Sequence, residues 1–432
     1  MSAGTWTLND DSDQTVDFDG QALFSLTILS GGGASYDNII VANNGQLLLS
    51  GALVITNGNL DLDTNNEALS VTGNVTLADD ADATLTTGDN MSIGGNLTVN
   101  DAATLTVSGG TLTFNGTADQ TIDLDDQRLN NLTLNNTGGG TSDDIIIANN
   151  SQLLLSGALT ITLGNLDLTT NTEPMVVDKG ITLADAAQAT LTTNSNVTAS
   201  GTITVNNAAT ITVTAGTWTL NDDSDQTVDL DGQSLYGLTI NNTGGGTNDD
   251  IVIAADGQLL LSGALTITLG NLDLTTNTEP MVVDRGITLA DAAQATLTTN
   301  SNVTASGTIT VNDAATITVS AGTWTLNDDS DQTVDLDGQS LYGLTINNTG
   351  GGTNDDIVIA ADGQLNLSGA LTITLGNLDL TTNTETMVVD RGITLADAAQ
   401  ATLTTNSNVT ASGTITVNDA ATITVSAGTW TL

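Results

Sequence analysis

Twelve residues, NDDSDQTVDLDG at Asn221–Gly232, carry five aspartates, and closely similar runs return at Asn9–Gly20 and Asn327–Gly338. Carboxylate oxygens at this density suit a hard cation such as Ca2+, which takes about six to eight oxygen ligands. Asp223, Asp225, Asp329 and Asp331 are the candidate Ca2+ ligands. The spacing departs from an EF-hand loop, because no Glu stands at the twelfth place. Asp229 and Asp231 are expected to point outward on a strand, and the corresponding run NGTADQTIDLDD, Asn115–Asp126, lacks two of the acids. The competing expectation is a solvated turn whose charge is screened by diffuse counterions.

Paired acids also serve glycoside hydrolysis. Here His is absent, only four residues are basic, and each acid recurs where a catalytic site would be singular, so no enzyme is expected. Thr-x-Thr pairs are abundant, for example Thr202–Thr204, Thr210–Thr212 and Thr308–Thr310. Such pairs order water against ice only when they stack on one face. The consecutive segments TITV, ATITV and TWTL would instead fall on consecutive sides and point apart. The run NNTGGGTNDD, Asn241–Asp250, lacks the GK[ST] ending of a phosphate loop. It reads as a surface loop, available for lateral contact or to face a cell-surface glycan, with Tyr36 beside its first copy. Trp6, Trp218, Trp324 and Trp430 alternate with Thr in TWTL and are expected to point inward with Leu.

The elements that must hold these residues follow from composition and periodicity. Fifty acidic residues against four basic ones give a net charge of −46. Nucleic acid and anionic lipid are excluded as partners by repulsion. Without cysteine there are neither disulfides nor thiolate metal sites. The longest apolar runs, LLL and III, are far too short to span a membrane, and no signal peptide is read before the first motif. The only Glu residues are Glu67, Glu173, Glu279 and Glu385, so the acids are overwhelmingly Asp. Asp, Asn, Gly and Thr favour turns and strands over helix.

The four Glu residues lie 106 positions apart, as do Gly4, Gly110, Gly216, Gly322 and Gly428, each opening GTWTL or its variant GTLTF. The chain divides into repeats at 1–109, 110–215, 216–321 and 322–432, the last including the start of a further copy. The third and fourth repeats differ only at Leu260 against Asn366 and Pro280 against Thr386. Within each repeat, short segments such as LTIT, MVVD and ITLA alternate with period two between aliphatic and polar residues, separated by turns rich in Asn, Asp and Gly. This predicts an all-β, right-handed parallel β-solenoid with about three sides per coil and about five coils per repeat, rising roughly 24 Å. Leu260 is placed outward between inward Leu259 and Leu261, and Pro280 at the start of a strand. The open coils at the two ends lack a cap, and the shared SAGTWTL at both ends suggests stacking on further copies of the repeat.

Runs such as GALTITLGNLDLTTNTEPMVV and GTLTFNGTADQTIDLDDQRLNNLTLNNTGGGT resemble secreted repetitive β-helix proteins of bacteria, the filamentous-haemagglutinin-like and autotransporter-type adhesin stalks. That resemblance implies an extracellular or bacterial cell-surface location and a stalk, adhesin or fibre role. It transfers no binding residue.

Overall fold

A computed structural model describes residues 4–31, 38–43, 46–140, 142–149, 151–245, 249–255, 257–350, 355–361 and 363–432. Among them there is no helix, and the strands pair in parallel as a β-solenoid of about 19 turns. The chain divides into two units, Met1–Gly216 and Thr217–Leu432, each holding two repeats.

Every third strand pairs with the one before it, so each turn has three sides. In the first unit Thr5–Leu8 lies on Ser25–Leu29, which lies on Leu53–Asn57, then Val75–Leu77 and Leu97–Val99. The step from one turn to the next is not constant. Thr5 faces Ser25, Leu26 faces Leu53, and Val75 faces Leu97, because corner turns differ in length while the sides do not.

Alternation decides the interior. Leu26, Leu53, Val75 and Leu97 stack inward and are essentially inaccessible, while the Thr residues between them face out. In the second unit Leu238, Leu265, Ile287 and Ile309 make the same ladder. Each such side chain contributes about 1.5–3 kcal/mol on full burial. Leu259 and Leu261 are buried and Leu260 is half-exposed, as is Asn366, whose amide donates to Gly338 O. Pro280 immediately precedes the strand Met281–Val283, where no ladder donor is lost.

Two features of the interior go beyond the sequence expectation. Trp218 and Trp324 are fully buried as expected, but the Trp324 indole N–H has no hydrogen-bond partner among the described residues. Buried amides also pin the corners. Asn171 Nδ2 donates to Ala148 O and Ser151 O, and its Oδ1 accepts from the Glu173 N–H. Asn383 Nδ2 likewise donates to Ala360 O and Gly363 O. These side chains satisfy corner carbonyls that no strand reaches. The glycine that opens GTWTL is needed for a different reason. Gly322 has φ +82, and a Cβ there would collide with the Ser301 carbonyl of the turn beneath.

The first repeat contains 14 strands, from Thr5–Leu8 to Thr104–Val107. At three sides per turn this is two-thirds of a turn beyond four, close to the expected five coils but not a whole number. Successive copies are therefore displaced by one side. In the second unit Thr217–Leu220 stacks with Gly237–Asn241, Thr323–Leu326 with Val303–Ala305 in another sheet, and Trp430–Thr431 with Val409–Ala411 in a third. In the first unit Thr111–Phe114 likewise leaves the sheet of Thr5–Leu8 for that of Met91–Ile93.

Leu265→Ala should lower unfolding stability by about 2–5 kcal/mol. Leu260→Asn, the change already present at 366, should cost no more than about 0.5 kcal/mol. Denaturant titration of the two variants measures the difference.

Candidate functional groove

The outward side chains are hydrogen-bonded across turns. In the second repeat Asn165 sits between Asp144 on one turn and Thr190 on the next. Its Nδ2 donates to Asp144 Oδ1 at 2.9 Å, and its Oδ1 accepts the hydroxyls of Thr190 at 2.7 Å and Thr192 at 3.0 Å. Thr190 and Thr192 in turn lie over Thr210 and Thr212. The same ladder joins Asp250, Asn271, Thr296 and Thr298, and again Asp356, Asn377, Thr402 and Thr404. Register alone accounts for it: stacked side chains are about 4.8 Å apart, within reach of an amide and a hydroxyl.

A shallow groove lies over each ladder. In the second repeat its lining includes Asp144, Asn165, Gln188, Thr190, Thr210 and Gly140, and its volume is about 300 Å³. The counterparts in the first, third and fourth repeats measure about 230, 250 and 360 Å³. Gly140, of the glycine run, forms part of one wall, and a Cβ on Gly139 would meet Gln188 Nε2 at 3.2 Å. Asn136, fully buried, fixes the base of that loop by donating to Ala118 O and accepting from the Gly138 N–H. Much of the run in the other repeats, and Tyr36, lies outside the described residues.

The structure assigns a backbone role to the acids read as Ca2+ ligands. Asp225 Oδ1 accepts the Asp250 N–H at 3.2 Å, and Asp331 Oδ1 accepts the Asp356 N–H at 3.1 Å. Asp13 and Asp119 do the same for Asn38 and Asp144. The acid present in all four repeats is thus the one that caps a strand start. Asp223 and Asp329 are exposed, and their backbone N–H groups bond to Asp222 and Asp328. The second repeat has Thr117 at their position. Among the described residues no three carboxylates gather into a metal-holding group. Asp229 closes a strand and faces out, whereas Asp231 lies in the following turn at φ 47, not on the strand as expected.

The Thr-x-Thr expectation holds for consecutive segments: Ile309–Val311, Thr316–Val319 and Thr323–Leu326 lie in three different sheets. It does not cover the vertical pairing. Thr296 and Thr298 stack directly on Thr316 and Thr318, two pairs deep. The basic residues also have local roles: Arg128 pairs with Asp178, and the guanidinium groups of Arg285 and Arg391 cover the rings of Tyr236 and Tyr342 at 5.8 and 5.6 Å. The second repeat has Asn130 and Lys179 at the places of this Tyr and Arg.

Burial holds the Asp355 carboxyl, at the edge of the fourth groove, above its ordinary pKa of 3.8. The Asp356 and Asp331 carboxylates add to the shift, and Asp355's own N–H opposes it. Because the folded state favours the neutral form, this group's contribution is fully present below the unfolded pKa and is lost as pH rises through the folded one. Asp355→Asn should therefore be more stable than the parent at pH 7, and this gain should vanish at about pH 3, as thermal melts at the two pH values would register.

Comparison with curated proteins and with solved structures finds no match. A family model for the B-type subunit of the Discoidin-inducing complex matches residues 11–228, just over half of the 432 residues. The match runs from the first acidic turn through both repeats of the first unit, including both grooves there. It names a family other than the adhesin stalks that the repeats resemble. The chain belongs to the family of B-type subunits of the Discoidin-inducing complex.

Proposed function

We propose that this structural repeat protein is a non-enzymatic, extracellular spacer at the cell surface, serving as the rigid part of a larger assembly. The observation that carries this reading is the unbroken inward ladder of each unit, in which a residue such as Leu265 is covered above and below by equivalent side chains. Stiffness follows from that packing, and solubility from the outward acids. A role within an assembly agrees with the family description, which names a component of a complex. The resemblance to adhesin stalks supports a place outside the cell, and the recurrence of each acid as a backbone cap supports the absence of catalysis.

A spacer of this kind tolerates changes in length by whole repeats. Inserting a second copy of 216–321 after Ala321 should leave the circular dichroism per residue and the denaturation midpoint unchanged. Loss of cooperative unfolding or of β signal would overturn the modular reading. Antibody labelling of intact cells tests location: signal only after permeabilisation would refute an extracellular role.

A second reading, turn-on-turn stacking against a second copy or further repeats, is favoured by one contrast. Trp6 is 51% exposed, whereas Trp218 and Trp324, at the same repeat position, are covered. Val417 and Val425 of the last turns are also about half exposed. If such stacking operates, sedimentation should show assembly rising with protein concentration, and Trp6→Asp should reduce it. A monodisperse monomer at every concentration would remove this reading.

A further inference from the structure

We infer that the four grooves are binding sites for a neutral, hydroxyl-rich saccharide. The inference does not depend on the spacer reading. Within the second-repeat groove the ladder leaves several groups unengaged. Asp144 uses one carboxylate oxygen on Asn165, and the Gln188 amide and the hydroxyls of Thr210 and Thr212 make no hydrogen bond among the described residues. Carboxylate, amide and hydroxyl together offer both acceptors and donors, the set that a sugar hydroxyl, itself donor and acceptor, can satisfy. No cationic side chain lines the groove, and the net charge of −46 repels an anionic ligand. The lining also lacks an aromatic or large aliphatic surface, which argues against an apolar ligand or a base that must stack.

A second, independent observation comes from comparing repeats. The first groove has Asn38 where the second has Asp144, and Asp82 where the second has Gln188. The carboxylate and the carboxamide have exchanged walls, so each groove keeps one of both. The ladder bond survives the exchange: Asn59 Nδ2 donates to Asn38 Oδ1 at 2.9 Å, as Asn165 does to Asp144. Packing does not require such compensation, because Gln188 is exposed. A ligand touching both walls does.

The geometry also fixes how the ligand would lie. Asp144, Asn165, Thr190 and Thr210 occupy successive turns, spanning about 14 Å at the strand spacing, which suits a chain segment more than a single ring. Within each unit the two grooves belong to different sheets, so they face different directions. One molecule would gather separate saccharide strands, with avidity from several weak sites.

The test is affinity electrophoresis of the intact chain in gels containing a soluble glucan, mannan or galactan, with polygalacturonate as the anionic counterpart. At least one neutral polymer should retard the parent, and polygalacturonate should not. The quadruple variant Asp82→Ala, Gln188→Ala, Gln294→Ala, Gln400→Ala should lose at least about tenfold in apparent affinity (~1.4 kcal/mol) with unchanged melting. Thr160→Val with Thr266→Val and Thr372→Val, on other faces, should behave as the parent does. Retardation by no neutral polymer, equal retardation of the quadruple variant, or thermal hysteresis in place of retardation would each overturn the assignment.

Discussion

Parallel register is the constraint on which the rest of this structure depends. Side chains alternate along a strand, so a slip of one residue would turn every inward Leu to water and every outward Thr into the core. Held in register, Leu265 covers Leu238 and Ile287 covers Leu265, while Thr266 lies between Thr239 and Thr288. The same alignment that builds the aliphatic core builds the polar ladder outside it. The one recurrent irregularity is a shift between Ile240 and Asn241, repeated between Ile346 and Asn347 and between Leu134 and Asn135. There the partner strand bends around the corner through a glycine at positive φ, Gly270 in one case and Gly164 in another, without a separate turn.

Register also converts a sequence period into a direction. Fourteen sides per repeat at three sides per turn leave each copy rotated by one side, with a rise of about 22 Å at the strand spacing. A chain built on a whole number of turns would place every copy of a motif on one face, forming a continuous stripe. This chain distributes its copies around the axis of each unit. A flat ice-binding face is disfavoured by that arrangement, and separate grooves pointing in different directions are favoured.

Much of this was legible in the residues. Period-two alternation, the 106-residue spacing and the scarcity of Glu, Lys and Arg identify a solenoid, and Leu260 against Asn366 marks an outward place correctly. Three things were hidden. The number of sides per repeat depends on corners, and LTITLGNLDL at Leu265–Leu274 reads as two segments though it is one bent strand. The Asn–Thr ladder joins residues 25 apart, such as Asn165 and Thr190, whose proximity follows from turn length. Asn171 and Gln120 look like surface amides in sequence, yet they are buried as corner pins, because whether an Asn or Gln faces in or out at a turn is set by which carbonyls lack a partner. The acidic run looked like a cation site because charge density is visible in sequence, whereas the backbone N–H that each carboxylate serves is not.

The rotation of one side per repeat is the central claim, and the absence of native cysteine allows a direct measurement by disulfide trapping. Thr325 stacks beside Thr304, whereas Thr310 stacks beside Asp335. Residues in direct register are within the Cα range of a disulfide, about 4.4–6.8 Å. Under mild oxidation, Thr304→Cys with Thr325→Cys should form an intramolecular bridge, and Thr310→Cys with Thr325→Cys should not. The reverse result would place successive copies of TWTL on one face and contradict the account.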